Sequence, residues 1–304
     1  MKTFQWFAFL VLAATIVPAL AAETHCAGNA ASLPLHLVNR HLFIVAVSIN
    51  HSGPYDFLLD SGTQITMIDP ALATELHLDT QSGAKFVGAG SLQSASVAQL
   101  DLVETGSHAV AKQTVLVYDL KGLHSADLQV RGILGEDFLE HFDMLIDNVH
   151  SLLCLDNSGA MRSAVKGPHI PLLAPAEPED GVPLPGLLII AAHLSDGTRP
   201  VRLVLDSGTT APVLFDTSQY ISVRPAYDVP LRASAVDGAQ QILSALPPQD
   251  VRIGSVELPR VPFFSLAGNQ KDARIKGVDG VLATAVFRRV FIDHADHFAV
   301  LEPR

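Results

Sequence analysis

Phe57-Leu58-Leu59-Asp60-Ser61-Gly62-Thr63 is an apolar run that stops at an acid and a tight-turn tripeptide. The motif returns as Leu203-Val204-Leu205-Asp206-Ser207-Gly208-Thr209, with the two aspartates 146 positions apart (206 − 60). A second pair of segments matches further on. Gly132-Ile133-Leu134-Gly135 leads into Met144-Leu145-Ile146-Asp147, and Gly280-Val281-Leu282-Ala283 leads into Val290-Phe291-Ile292-Asp293. Their closing aspartates are again 146 apart (293 − 147). Upstream, Phe43-Ile44-Val45-Ala46-Val47 parallels Leu187-Leu188-Ile189-Ile190-Ala191. Three blocks recurring in one order indicate a duplicated lobe.

A chain of 304 residues fits one large domain or two lobes of ordinary size. With 48% hydrophobic and 17% charged residues it is not a disordered chain. Aromatics are sparse at 6%, while 21 Gly and 19 Pro favour many short strands and turns over long helices. Strand pairs joined through His51-Ser52-Gly53-Pro54 and through Ser195-Asp196-Gly197-Thr198 read as hairpins. Short helices are expected at Pro70 to Leu78, behind Asp69, and at Glu136 to Phe142. The formal net charge of −11, without a basic run, argues against nucleic-acid binding, which needs clustered Lys and Arg.

The ends and the seam are also legible. Residues 1–22 carry Lys2, an apolar run from Phe7 to Val17 and small residues at Ala19 to Ala22, the pattern of a secretory signal peptide. The apolar run is short for a membrane span, so export without a stable membrane anchor is expected, to a periplasm or the exterior. The residues before Cys26 lack the apolar position of a lipoprotein signal. Pro-rich residues 166–186 read as a linker between an N-terminal lobe, 23–165, and a C-terminal lobe, 187–304. In an oxidising compartment Cys26 and Cys154 either pair or leave Cys154 as a buried thiol.

Each lobe thus presents one acid at the end of a buried strand, with Gly62 or Gly208 allowing a tight turn directly after it. Ser61, Thr63, Ser207 and Thr209 supply hydroxyls that can bond a carboxylate or nearby backbone. A pseudo-twofold axis between the lobes would bring Asp60 and Asp206 together. Two close carboxylates share a proton, and one then serves as general base on a water while the other serves as general acid. That chemistry hydrolyses an amide without a metal or a covalent intermediate.

These residues resemble the aspartic proteases of the retropepsin-like and pepsin-like clan. The family's Asp-Thr/Ser-Gly triplet matches Asp60-Ser61-Gly62 and Asp206-Ser207-Gly208, and its apolar-apolar-Gly segment matches Ile133-Leu134-Gly135. Asp137-Phe138-Leu139 fits the bacterial retropepsin-like pattern, whereas Ala283 stands where the family has glycine. The resemblance implies a mostly β, bilobal fold: two pseudo-twofold-related β-barrel lobes with few short helices. It implies Asp60 and Asp206 as the catalytic pair of an aspartic endopeptidase acting on a peptide or protein substrate. Ser61 and Ser207 would brace the two loops, and Thr63 and Thr209 would bond the carboxylates. It also implies a flap hairpin with Val87, Gly88, Ala89 and Gly90 at its tip, with no tyrosine close by in sequence, and Val236 to Ala239 as a lesser counterpart. Carrying both half-sites on one chain, the protein is expected to work as a monomer.

No cofactor is implied. His294, Asp296 and His297 cluster near the C-terminus but follow no metal-binding pattern, and solvated turn residues are the expectation there. Serine-hydrolase and Walker-type motifs are absent from the sequence. The alternative to a protease is a non-catalytic module on the same fold that holds a peptide or an envelope ligand.

Overall fold

The computed structural model describes residues 26, 31–34, 36–38, 42–88, 91–125, 128–174, 186–215, 231–234, 240–266 and 277–304. The signal-like segment 1–22, Ala89, Gly90 and Val236 to Ala239 lie outside the described residues. In the first half the elements run β1 (Ala31–Pro34), β2 (His36–Val38), β3 (Leu42–Ile49), β4 (Ser52–Leu59), β5 (Met67–Ile68), α1 (Pro70–Glu75), β6 (Thr80–Gly88), β7 (Ser91–Thr105), β8 (His108–Val117), α2 (Lys121–Ser125), β9 (Gly132–Leu134), α3 (Glu136–Leu139), β10 (Asp143–Asp147), β11 (Leu152–Asp156) and α4 (Ala160–Ala164). The rest are β12 (Ile170–Pro171), β13 (Ile189–Leu194), β14 (Val201–Asp206), β15 (Val213–Leu214), β16 (Leu231–Ser234), β17 (Gln240–Ala245), β18 (Gln249–Ile253), β19 (Val256–Val261), β20 (Phe264–Leu266), β21 (Gly280–Ala283), a 3₁₀ turn (Thr284–Val286), β22 (Phe287–Asp293) and β23 (Phe298–Pro303). The protein is mostly β with few short helices, as its turn-rich composition requires.

Three sheets hold these strands. One has eight strands, in the order β2-β3-β4-β9-β5-β8-β7-β6, and a β3–β7 pairing partly closes it on itself. A second has nine, in the order β16-β17-β20-β15-β21-β14-β13-β18-β19. The third, β1-β11-β10-β22-β23-β12, draws three strands from each half. At its centre β10 and β22 pair antiparallel, Leu145 opposite Phe291. Those two residues are 146 positions apart (291 − 145), the repeat distance of the triplets, so the pseudo-twofold axis passes between them. Outward from it, Leu33 pairs with Leu153 and Ile170 with Ala299, so β1 and β12 are equivalent as well. Ile170-Pro171 falls inside the Pro-rich stretch, on the sheet edge where proline's missing N–H does no harm. A disulfide joins Cys26 to Cys154 of β11, with Cα atoms 5.7 Å apart, and fastens the chain ahead of β1 to this shared sheet.

The local readings hold with two shifts and two shortened helices. The first hairpin turns at Asn50-His51, and Ser52 already pairs with Ile49. Both turn residues have positive φ, 50° and 64°, the left-handed pair that a two-residue hairpin needs and that asparagine tolerates. Asn50 Oδ1 also accepts from the Asp101 and Leu102 N–H groups, at 2.9 and 3.0 Å. Secondly, Ile44 pairs with Leu58 and Ile189 with Val204, so Ile44 is equivalent to Ile189 rather than Leu188. The parallel drawn from sequence slips by one residue because an unbroken apolar run carries no alternation to set its register. The helix after Asp69 begins as expected, with the Asp69 side chain accepting from Leu72 N at 2.6 Å, but ends at Glu75. The helix from Glu136 is likewise short, ending at Leu139.

One apolar core runs through both halves. Ile146 and Leu153 of the first and Leu203, Leu205 and Ile292 of the second belong to the same buried cluster. Because Ile146 is fully buried within it, Ile146→Ala is expected to cost about 2–5 kcal/mol. Chemical denaturation should show this as a lowered midpoint with one cooperative transition, since the core is shared between halves.

Candidate active site

β4 and β14 are each flanked by a parallel strand from the same half, Leu58 beside Ile133 and Val204 beside Val281. Each therefore ends inside the molecule, and the acid that follows is delivered to the boundary between the halves. Asp60 is buried and Asp206 half-buried. The loops after them meet. Ser61 N donates to Ser207 Oγ at 3.0 Å and Ser207 N to Ser61 Oγ at 3.1 Å. Each hydroxyl in turn donates to a carbonyl of the opposite strand, Ser61 Oγ to Leu205 O and Ser207 Oγ to Leu59 O, both at 2.9 Å. Both serines are almost wholly buried, so these four bonds have no competing water.

The glycines face the opposite acid. A Cβ built on Gly62 would lie 2.6 Å from Asp206 Cγ, and one on Gly208 2.4 Å from Asp60 Cγ. No side chain fits there, and the absence of one lets each carboxylate rest against the other loop. Gly62 N donates to Asp60 Oδ1 at 2.8 Å and Gly208 N to Asp206 Oδ1 at 2.7 Å. The two carboxyl groups are thus packed together at the boundary between the halves, and each perturbs the other's titration.

The site is asymmetric in one hydroxyl. Thr63 Oγ1 donates to Asp60 Oδ2 at 2.8 Å, but Thr209 Oγ1 donates to the Ala211 carbonyl at 3.1 Å. The expectation that both threonine hydroxyls serve the carboxylates therefore holds for Thr63 alone. In the second loop, Thr209-Thr210-Ala211-Pro212, the Ala211 carbonyl takes the hydroxyl. Burial raises Asp60 above the ordinary carboxylate range, opposed by the Thr63 and Gly62 donors. Asp206 is raised further, by burial and then by the facing Asp60 charge. Both carboxyls are thus held above the ordinary range, and the Thr63 hydroxyl favours the anion on Asp60.

Gly135 and Ala283 show how the two loops are backed. A methyl on Gly135 would come 2.9 Å from Thr63 O and 3.0 Å from the Ile65 carbonyl carbon. Ala283 stays in the ladder opposite Asp206, with φ −58° and ψ 127° against −101° and −176° at Gly135. The different turn accommodates its methyl, and the departure from glycine is absorbed locally.

Several supporting residues escaped the sequence reading. Asp137 Oδ1 accepts from Thr66 N at 2.9 Å and Thr66 Oγ1 at 2.6 Å, and Thr66 Oγ1 accepts from Gly135 N at 3.1 Å. His294, expected to be a solvated turn residue, is largely withdrawn from solvent and pairs with the buried Glu136. The signal was present: Glu136 and Asp137 interrupt an otherwise apolar stretch, where burial obliges an acid to find a partner. Val87 and Gly88 end β6, and Gly88 pairs with Ser91, so the flap candidate is a hairpin whose tip, Ala89-Gly90, lies outside the described residues. Tyr118, distant in sequence, packs edge-on against Phe86 at 4.9 Å and donates to Gln93 Oε1 at 3.2 Å, reaching the hairpin stem from β8's end. Among the described residues no group of acids, histidines and cysteines is arranged to hold a metal.

Residues 45–138 match the family model described as Aspartyl protease, a span that contains Asp60 to Thr63 and Gly132 to Asp137 but not Asp206. A crystal structure of an aspartic proteinase from Irpex lacteus is similar over 90% of this chain and 97% of its own, at 13% identity and a TM-score of 0.50. This is the aspartic-protease fold. A retropepsin-like aspartic protease from Rickettsia conorii, 20% identical, covers 41% of this chain and 90% of its own, at a TM-score of 0.33 too low to bear on the fold. No curated protein matches the sequence. The aspartic-protease family match and fold support a protease-type, hydrolytic function.

Two outcomes follow from the packing of the aspartic-protease loops. Ser207→Ala would leave the Leu59 carbonyl and the Ser61 N–H unpartnered in a dry site, a loss of about 1–3 kcal/mol measurable by thermal unfolding. Asp137 is raised to about 6 by burial, so the folded state retains a proton there that the unfolded chain has released. Its contribution is present in acid and fades as pH rises from the ordinary carboxylate range through about 6, on the order of 3 kcal/mol in all. Asp137→Asn should flatten the decline in stability across that window in a melting-temperature series.

Proposed function

We propose that the protein is an aspartic endopeptidase that hydrolyses a peptide bond with a water activated between Asp60 and Asp206. The observation that carries this reading is the meeting of two carboxyl groups from the two halves, each seated against the other's glycine. The unequal surroundings support distinct roles. Asp60, steadied as the anion by Thr63, takes a proton from the water as its oxygen attacks the carbonyl carbon. Asp206 gives its proton to the carbonyl oxygen. Collapse of the tetrahedral species then breaks the C–N bond, as a proton passes to the leaving amine. Ser61 and Ser207 hold the two acids at a fixed separation throughout. The β6–β7 hairpin would cover the peptide, with Tyr118 stiffening its stem.

The proposal extends to setting. The leader-like residues 1–22 support export to a periplasm or the exterior, and the disulfide suits an oxidising compartment. Residues 23–165 and 187–304 would be the two lobes, and with one aspartate from each the chain would act as a monomer without a cofactor. Among the described residues no helix is long and apolar enough to cross a membrane.

Cleavage of a mixed peptide library by the mature chain, from acid to neutral pH, tests the assignment. Asp60→Asn and Asp206→Asn should each abolish turnover, and retained cleavage in either would overturn it. Binding of peptides without turnover would favour the non-catalytic module. The threonine asymmetry gives a finer test. Thr63→Val removes a bond that favours ionised Asp60, so the acid limb of kcat/KM should move to higher pH. Thr209→Val, whose hydroxyl serves a carbonyl, should leave that limb in place.

A further inference from the structure

The turns after β10 and β22 hold equivalent residues, Asn148 and His294, 146 positions apart (294 − 148). Each reaches across the axis to the segment behind the other half's loop. Asn148 Nδ2 donates to the carbonyls of Thr284 and Phe287, both at 3.0 Å. His294 places Nδ1 2.6 Å from the Phe142 carbonyl and Nε2 3.0 Å from Glu136 Oε2. Thr284 and Glu136 are themselves equivalent, each directly following the residue that backs a loop, Ala283 or Gly135. The fold is thus bracketed twice. One bracket is an amide on carbonyls. The other is an acid–base pair with Glu136 fully buried and His294 10% exposed.

The acid–base bracket stands behind Asp60. Glu136 N donates to Thr63 O at 2.8 Å and Asp137 N to Gln64 O at 3.1 Å, so the first turn of α3 is tied to the loop whose Thr63 hydroxyl serves Asp60. A displacement of Glu136 is therefore passed on to the donor that steadies the Asp60 anion.

We propose that Glu136 and His294 are positioning residues for Asp60: their cross-half ion pair holds residues 60–66 in place, and the site loosens when the pair is discharged. The inference rests on the reading of Asp60 as a catalytic group. Glu140 and Asp60 face Glu136, and Asp143 faces His294. Beyond Asp143, the cation among the described residues is Arg162, and it is engaged by Asp143, Asp293 and Asp296. Burial opposes the imidazolium, but Glu136 and the Phe142 carbonyl outweigh it and His294 is raised. Burial raises Glu136 as well, and the pair discharges as pH rises through the His294 titration, the direction required of a raised histidine.

The test compares the full mature chain with His294→Asn and with the double variant Glu136→Thr/His294→Asn, which installs the neutral bracket of the other half and leaves no unpaired buried acid. Amide exchange in a peptide covering residues 57–68, corrected for intrinsic rates, would be read at about pH 6 and about pH 8. In the wild type, protection should fall about tenfold between the two; in the double variant it should hold level; in His294→Asn it should be low at both. Wild-type protection that does not change with pH, or that His294→Asn leaves intact, overturns the proposal. The alkaline limb of kcat should move in the double variant with KM unaltered, and an unmoved limb also overturns it. Failure of the catalytic reading would show separately, as cleavage that survives Asp60→Asn or as no cleavage by the wild type, and the exchange comparison still decides whether the pair holds the loop.

Discussion

Two serine hydroxyls and two amide groups form a closed set of four hydrogen bonds between the halves, and the rest of the site depends on it. Each bond crosses the pseudo-twofold axis, and each is sheltered from water. A buried donor or acceptor without a partner is expensive, so neither loop can move without leaving the other unsatisfied. The bonds hold two acids, which would otherwise repel, against each other's glycines. Burial and mutual repulsion raise both acids, and the one hydroxyl that reaches a carboxylate, that of Thr63, serves Asp60.

The shared sheet is the mechanical counterpart of that set. Leu145 pairs with its own repeat partner, Phe291, so the two halves meet through one ladder and one continuous core. Symmetry of this kind delivers two equivalent strand ends to one place. It does not make them chemically equal. The hydroxyl after one triplet serves a carboxylate and its counterpart serves a carbonyl. The turn after one central strand carries histidine and its counterpart asparagine. General acid–base chemistry needs such inequality, because two identical carboxyls have no assigned donor and acceptor.

The protein also illustrates how a departure from a motif is absorbed. Ala283 carries a methyl group where Gly135 has none, yet the strand runs one residue further and turns by a different ψ. On the first side the backbone of Thr63 and Ile65 presses where a methyl would go. The same position therefore demands glycine in one half and admits alanine in the other.

The repeated Asp-Ser-Gly-Thr ends, the duplicated apolar-Gly strands and the hairpin stem could be read in the sequence, because each is a local pattern of apolar run, acid and turn residue. So could the serines as braces and Cys26 with Cys154 as one of two outcomes. What the sequence left open involved partners far apart along the chain. The register of β3 against β13 was hidden by apolar runs with no alternation. Which threonine serves a carboxylate depends on where a later carbonyl falls. Glu136 and His294 lie 158 positions apart, and nothing local says that a turn histidine will meet a buried acid. Local chemistry thus determined which residues were available, and only the folding of one half onto the other decided which of them would meet, since desolvation and hydrogen bonding act on neighbours in space.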